Sequence, residues 1–228
     1  MLNANCPNCG APIAFRSAGL PVVVCEFCRS TIMRRGEDLA LAGTAARVPE
    51  TISPVQIGTS GVFGGQAFDI IGRVRWHWRH DAGLVGGGWS EWLALFGDGS
   101  TGWLAEAMGR YTMMMAVLPL PGDDIVGRVI AGEPIVPDML MDLAGISCRV
   151  IDARTAEAVG SEGELQFAAP AGETLFNVDL ANESGGRASI QKHGDVVTAW
   201  TGSAVTLREL KPKGLRRIDG WQLPGWAA

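Results

Sequence analysis

WSEWLALFGDGSTGWLAEA, residues 89–107, decides how this chain is read. Apolar residues recur at strand spacing on both sides of Gly97-Asp98-Gly99, which predicts two antiparallel strands joined by a tight turn. Each strand carries one glutamate beside its tryptophans, Glu91 between Trp89 and Trp92, and Glu106 after Trp103. A two-residue turn at Asp98-Gly99, or a four-residue loop over 97–100, sets Glu91 directly opposite Glu106. A three-residue turn shifts the register by one and separates them.

Carboxylates facing each other across a sheet repel, so the paired arrangement needs a cation. The preceding stretch RVRWHWRH offers Arg73, Arg75 and Arg79 on the face opposite Val74, Trp76 and Trp78. The expectation is an arginine bridge, a charge cluster that closes one end of the core. The alternative is a ligand or metal site walled by Trp89, Trp92 and Trp103, because paired acids in an aromatic pocket suit a cationic amine. No nucleophile or sugar-binding pattern accompanies the two acids, and the chain is expected not to be an enzyme.

Outward from this hairpin, short β-patterned runs alternate with turn signals and no long helical pattern intervenes. The expected organisation is a first antiparallel unit over 52–120, a proline-punctuated connection, and a second unit over 140–211. The second packs on the first as one sandwich or barrel, and 212–228 form an irregular tail anchored by Trp221 and Trp226. Trp76 and Trp78 share one strand face and are expected in the core. GLVGGGW, 83–89, has no following helix or GK[ST] and reads as a flexible hairpin tip, not a phosphate loop. His77, His80 and Asp81 lack a further strong ligand beside them and read as incidental. Cys148 reads as a small buried strand residue.

Upstream lies the strongest motif, Cys6-x2-Cys9 followed by Cys25-x2-Cys28. Two such turns, 15 residues apart, bring four thiolates around one metal, and the spacing is that of a zinc ribbon over residues 1–36. All four positions are cysteine, so no coordination site stays open and the zinc is expected to be structural. Residues 37–51 are rich in small side chains and read as a linker or short helix.

The chain has 228 residues and a net charge of −5, so no global positive field recruits nucleic acid or an anionic membrane. The ribbon carries Arg16, Arg29, Arg34 and Arg35 against Glu26, an excess that a four-thiolate zinc largely cancels. The start, MLNANCPNCGAP, lacks the features of a signal peptide, and the apolar run 111–121 is broken by proline before it could span a bilayer. The expected location is the cytoplasm, with no transmembrane segment.

The four-cysteine ribbon, IGTSGVFGGQAFDIIGRVRW and WSEWLALFGDGSTGWLAEAMGRY together resemble the bacterial family called domain of unknown function 4178, in the form preceded by a zinc ribbon. The resemblance covers residues 1 to about 112 well, and EGELQF and AVTLREL more loosely. It implies no catalytic activity; the family's gene neighbourhood implies an accessory role near the inner face of a membrane. The leading expectation is a mostly β, non-catalytic zinc-binding adaptor with a protein partner and peripheral membrane proximity. Beside it stand a nucleic-acid-binding ribbon protein using RVRWHWR, and an amine- or cation-binding pocket or small enzyme at Glu91 and Glu106.

Overall fold

The computed structural model describes residues 2–36, 38–49, 52–80 and 83–220. The N-terminal segment folds as a hairpin of β1 (Leu2–Asn5) and β2 (Pro12–Phe15), followed by the antiparallel strands β3 (Val22–Val24), β4 (Ser30–Arg35) and β5 (Asp38–Thr44). Strand β5 occupies the stretch expected as a linker or short helix. LALAG has too weak a helical period to bury one face, and it instead satisfies the backbone edge of β4, pairing Arg35 with Asp38 and Ile32 with Leu41.

Two meanders follow. The first contains β6 (Ser60–Phe63), β7 (Gln66–Arg79), β8 (Val85–Phe96), β9 (Thr101–Ala107) and β10 (Arg110–Ala116). After helix α1 (Asp124–Ala131) and the short β11 (Leu140–Leu143) come β12 (Ile146–Leu165), β13 (Thr174–Ala181), β14 (Gly186–His193) and β15 (Val196–Val205), closed by the single turn α2 (Leu207–Leu210). The last strands pair with each other, β10 with β15, and so do the long first strands, β12 with β7. Strands β7–β10 and β12–β15 therefore form a closed antiparallel barrel of eight strands. The sandwich-or-barrel expectation resolves to a barrel, and closure removes the open edges that a flat sheet would leave.

Closure depends on glycine at both seams. A Cβ on Gly72 of β7 would lie 1.8 Å from the carbonyl oxygen of Glu164, and one on Gly202 of β15 would lie 1.8 Å from that of Met113. Only a residue without a side chain lets the strands meet there.

The outer faces are covered differently. Helix α1 lays Ile125, Val126 and Val129 over Val178, Leu180 and Ile190 of the second meander. This helix falls inside the connection read from sequence as proline-punctuated. Gly132 in the left-handed conformation ends it. Val55 and Leu210 cover Ile70, Trp92 and Leu104 of the first meander. Leu20, Val22 and Val24 of the ribbon join the cluster that includes Trp76, Leu93 and Trp103, and β3 pairs directly with the end of β12. Buried Glu164 of β12 accepts the backbone N–H groups of Arg16 and Ser17 at 2.7 and 3.1 Å, which fixes the ribbon against the barrel.

Candidate ligand cavity and metal centre

The metal centre is built from two turns of the same design. Gly10 N–H donates to Cys6 O and Arg29 N–H to Cys25 O, and the residue after each second cysteine, Gly10 or Arg29, has positive φ. Arg29 holds that strained position while its guanidinium donates to Ala46 O and Ser161 O at 2.8 and 2.9 Å, tying the second turn to β12. Cys6 and Cys28 sulfurs lie 3.6 Å apart, Cys9 and Cys25 sulfurs 3.8 Å apart, and all four fall within 4.8 Å of one another. A tetrahedral ion with metal–sulfur bonds of about 2.3 Å needs sulfur separations of roughly 3.8 Å, so the donors fit a metal of that size. Four sulfur ligands supply no open site for substrate.

The hairpin at 89–107 differs from its expected register. Phe96 N–H donates to Ser100 O at 2.9 Å, and Asp98 accepts both the backbone N–H and the hydroxyl of Ser100, leaving Gly97-Asp98-Gly99 as a three-residue loop. Gly99 has a φ of 86°, the left-handed residue such a loop requires. Glu91 therefore pairs with Ala105, and Glu106 with Ser90. Because the side-chain period is two, the single-residue shift sends the two glutamates to opposite faces. The two glutamates do not face each other across the hairpin.

Each carboxylate instead receives three neutral donors. Glu106, on the outer face, accepts from Ser53 Oγ at 2.6 Å, Trp92 Nε1 at 2.8 Å and Tyr111 OH at 3.1 Å. Burial and the negative charge of Glu106 push the Tyr111 phenol up. Arg73 and Arg75 share this face. Arg73 stacks 4.4 Å over the Trp92 ring, donates to Ser90 Oγ and lies 3.6 Å from Glu162, while Arg75 also reaches Ser90 Oγ. Burial pushes both guanidinium groups down and the charge of Glu106 opposes that shift. Among the described residues no ion pair joins an arginine to Glu91 or Glu106. Arg79 pairs with Glu157 on the surface.

Glu91 faces the lumen. It accepts from Trp76 Nε1 at 2.9 Å, Trp89 Nε1 at 3.1 Å and Gln191 Nε2 at 2.8 Å, the last across the barrel from β14. Burial pushes its carboxyl up, opposed by these donors and reinforced by the charge of Asp179. Beside it is a cavity of about 390 Å³, a volume typical of small-molecule sites. Trp78, Trp89, Trp103 and Trp200 form an aromatic wall, and Asn177, Asp179, Ser189 and Gln191 form a polar one. Trp92 is absent from that wall because the register places it outside. Burial also pushes the Asp179 carboxyl up, opposed by Asn177 and Ser189. The cavity reaches the surface beside the fully exposed Met108.

The triple glycine is part of this wall. Gly86, Gly87 and Gly88 lie within β8 instead of at a hairpin tip. A Cβ on Gly86 would fall 2.0 Å from the Trp78 ring, so the bare backbone is the bed on which that ring lies. Arg154 covers its other side at 4.2 Å while paired with Asp152. Trp76 is fully buried and Cys148 is a buried strand residue, as expected. Trp221, Trp226 and Asp81 lie outside the described residues.

Sequence reading missed the polar wall. The signal was present in NVDLA and ASIQKH, where polar residues alternate with apolar ones, but the alternation alone does not say which face is inward. Helix α1 decides it by covering the apolar face from outside.

The model of the family described as Domain of unknown function (DUF4178) matches residues 56–207. No curated protein and no solved structure matches the chain. The matched span holds every strand of the barrel and leaves out the four-cysteine ribbon, so it takes in the later half that the sequence resemblance covered only loosely. The protein belongs to the DUF4178 family, with that domain folded as an eight-stranded barrel joined to an N-terminal cysteine ribbon.

Proposed function

We propose that this chain is a non-catalytic binding protein: its ribbon is held by structural zinc, and its barrel takes up a small molecule in the lumen. The cavity beside Glu91 carries the reading. An eight-stranded barrel is just wide enough to be filled by side chains or to hold one small ligand, and this one leaves about 390 Å³ between an aromatic and a polar wall. Native mass spectrometry of the full chain, with indole fluorescence titration against a small-molecule library, tests it. A co-purifying or saturably bound small molecule whose affinity falls in Trp103→Ala supports the reading; no bound mass and no saturable signal sinks it. Metal analysis should give one zinc per chain, lost in Cys9→Ser.

The ribbon supports a second role. Phe27, between Cys25 and Cys28, is 70% exposed, an apolar side chain presented on a rigid turn, which favours a protein partner of the adaptor kind. Affinity capture with the wild-type chain and Phe27→Asp tests it, and identical partner profiles argue against it. Four reduced thiols favour the cytoplasm. No helix among the described residues is long and apolar enough to cross a membrane; exposed apolar side chains such as Leu84, Val85 and Met108 are what membrane proximity would rest on. The nucleic-acid reading loses its stacking platform, because Trp76 is buried and Trp78 lies between glycine backbone and Arg154.

A further inference from the structure

The lumen has two unlike walls, and their chemistry restricts what fits between them. The aromatic wall, lined by Trp89, Trp103 and Trp200, offers apolar surface to an apolar body. Across from it, β13 and β14 turn Asn177, Asp179, Ser189 and Gln191 inward, and Ser189 Oγ donates to Asn177 Oδ1 at 3.0 Å. Glu91 stands where the walls meet, with all three of its hydrogen bonds coming from neutral N–H groups.

The charges along the cavity are unevenly matched. Asp152 is paired with Arg154, and that guanidinium is further held over Trp78. Arg187 donates to the carbonyl of Gly186, and Arg110 is exposed next to the β9–β10 turn. Neither Glu91 nor Asp179 has an ion-pair partner among the described residues. Burial holds both carboxyls above their ordinary range; the charge of Asp179 adds to this at Glu91, and the charge of Arg154 opposes it at Asp179. Glu91, buried on the lumen side, has only neutral donors against it, and a positive charge brought by a ligand would complete its surroundings. Indole rings stabilise such a charge as well.

Resting on the lumen-binding reading, we infer that the ligand is a lipophilic organic ammonium ion, its charged nitrogen between Glu91 and Asp179 and its apolar body against the tryptophans. Arg110, Arg154 and Arg187 line the same cavity and repel an ammonium beside them, which leaves the Glu91 end, where every donor is neutral, as its place.

Three probes of one shape and different charge test the assignment on the zinc-loaded full chain: phenethylammonium, phenethyl alcohol and phenylacetate, each followed by indole fluorescence and calorimetry at neutral pH. The ammonium should bind at least about tenfold more tightly than the alcohol, and phenylacetate should be the weakest. Asp179→Asn, at a half-buried position, should reduce that preference severalfold while alcohol binding persists, which shows that the variant is folded. Glu91→Gln should act in the same direction. Alcohol or phenylacetate binding as tightly as the ammonium, or a preference unchanged in both variants, overturns the ammonium assignment and leaves the lumen-binding reading standing. Saturable binding by none of the three, with no small molecule retained by the purified chain, overturns both.

Discussion

The two meanders of the barrel share one topology and have opposite polarity. In β7–β10 both faces are buried and mostly apolar: Trp76, Leu93 and Trp103 inward, Ile70, Trp92 and Leu104 outward. In β13 and β14 the outer face is apolar beneath α1, with Val178, Leu180 and Ile190, and the inner face carries Asn177, Asp179, Ser189 and Gln191. A barrel built from two copies of the first kind would fill itself. The second supplies inward polar groups and leaves room beside them, so the polar wall of the cavity comes from one half and most of its aromatic wall from the other.

Breaking the seams should erase this division altogether. Gly72→Ala or Gly202→Ala drives a methyl group into a carbonyl oxygen, and a loss of about 4 kcal/mol or more is expected, read as a non-cooperative melt and loss of the near-ultraviolet tryptophan signal. Glu106→Ala is the next largest. It strands the donors of Ser53, Trp92 and Tyr111 in a closed outer face and should cost about 3 kcal/mol in urea unfolding.

Glu91→Gln separates the inner site from the outer one through pH. Burial raises the carboxyl of Glu91 in the folded chain, so between the unfolded and the folded value the folded chain binds this proton more readily than the unfolded one. Its contribution is complete below the unfolded carboxyl value of about 4.3 and declines as pH rises through the folded one, then levels off. Urea midpoints measured from about pH 4 to 8 should show this decline in wild type and a shallower one in Glu91→Gln, with Asp179 supplying the remainder. The smallest effect is expected at the polar wall: Ser189→Ala should change stability by about 1 kcal/mol or less.

What could be read from sequence follows the range of the interactions involved. Cys6, Cys9, Cys25 and Cys28 were legible because zinc chemistry constrains their spacing directly. The meanders were legible because strand alternation is local. The placement of Glu91 and Glu106 was not, because GDG supports loops of two, three or four residues and one residue of loop length reverses the face. Barrel closure lay further out of reach, since it rests on pairing between β7 and β12, strands distant in sequence. The α1 helix did leave a trace, Asp123-Asp124 before Ile125, Val126 and Val129, with Gly132 after it, but at eight residues it was masked by the prolines around it.

Strand β12 is 20 residues long and serves four neighbours: β11, β13 and β7, and also β3 of the ribbon. A chain begun at residue 56, where the family match starts, would leave the edge at Gly163–Leu165 bare and Glu164 without the amides of Arg16 and Ser17. A bare strand edge beside an unpaired buried acid invites pairing between molecules. The stretch that satisfies this strand edge and this buried acid is therefore longer than the stretch by which the family is recognised.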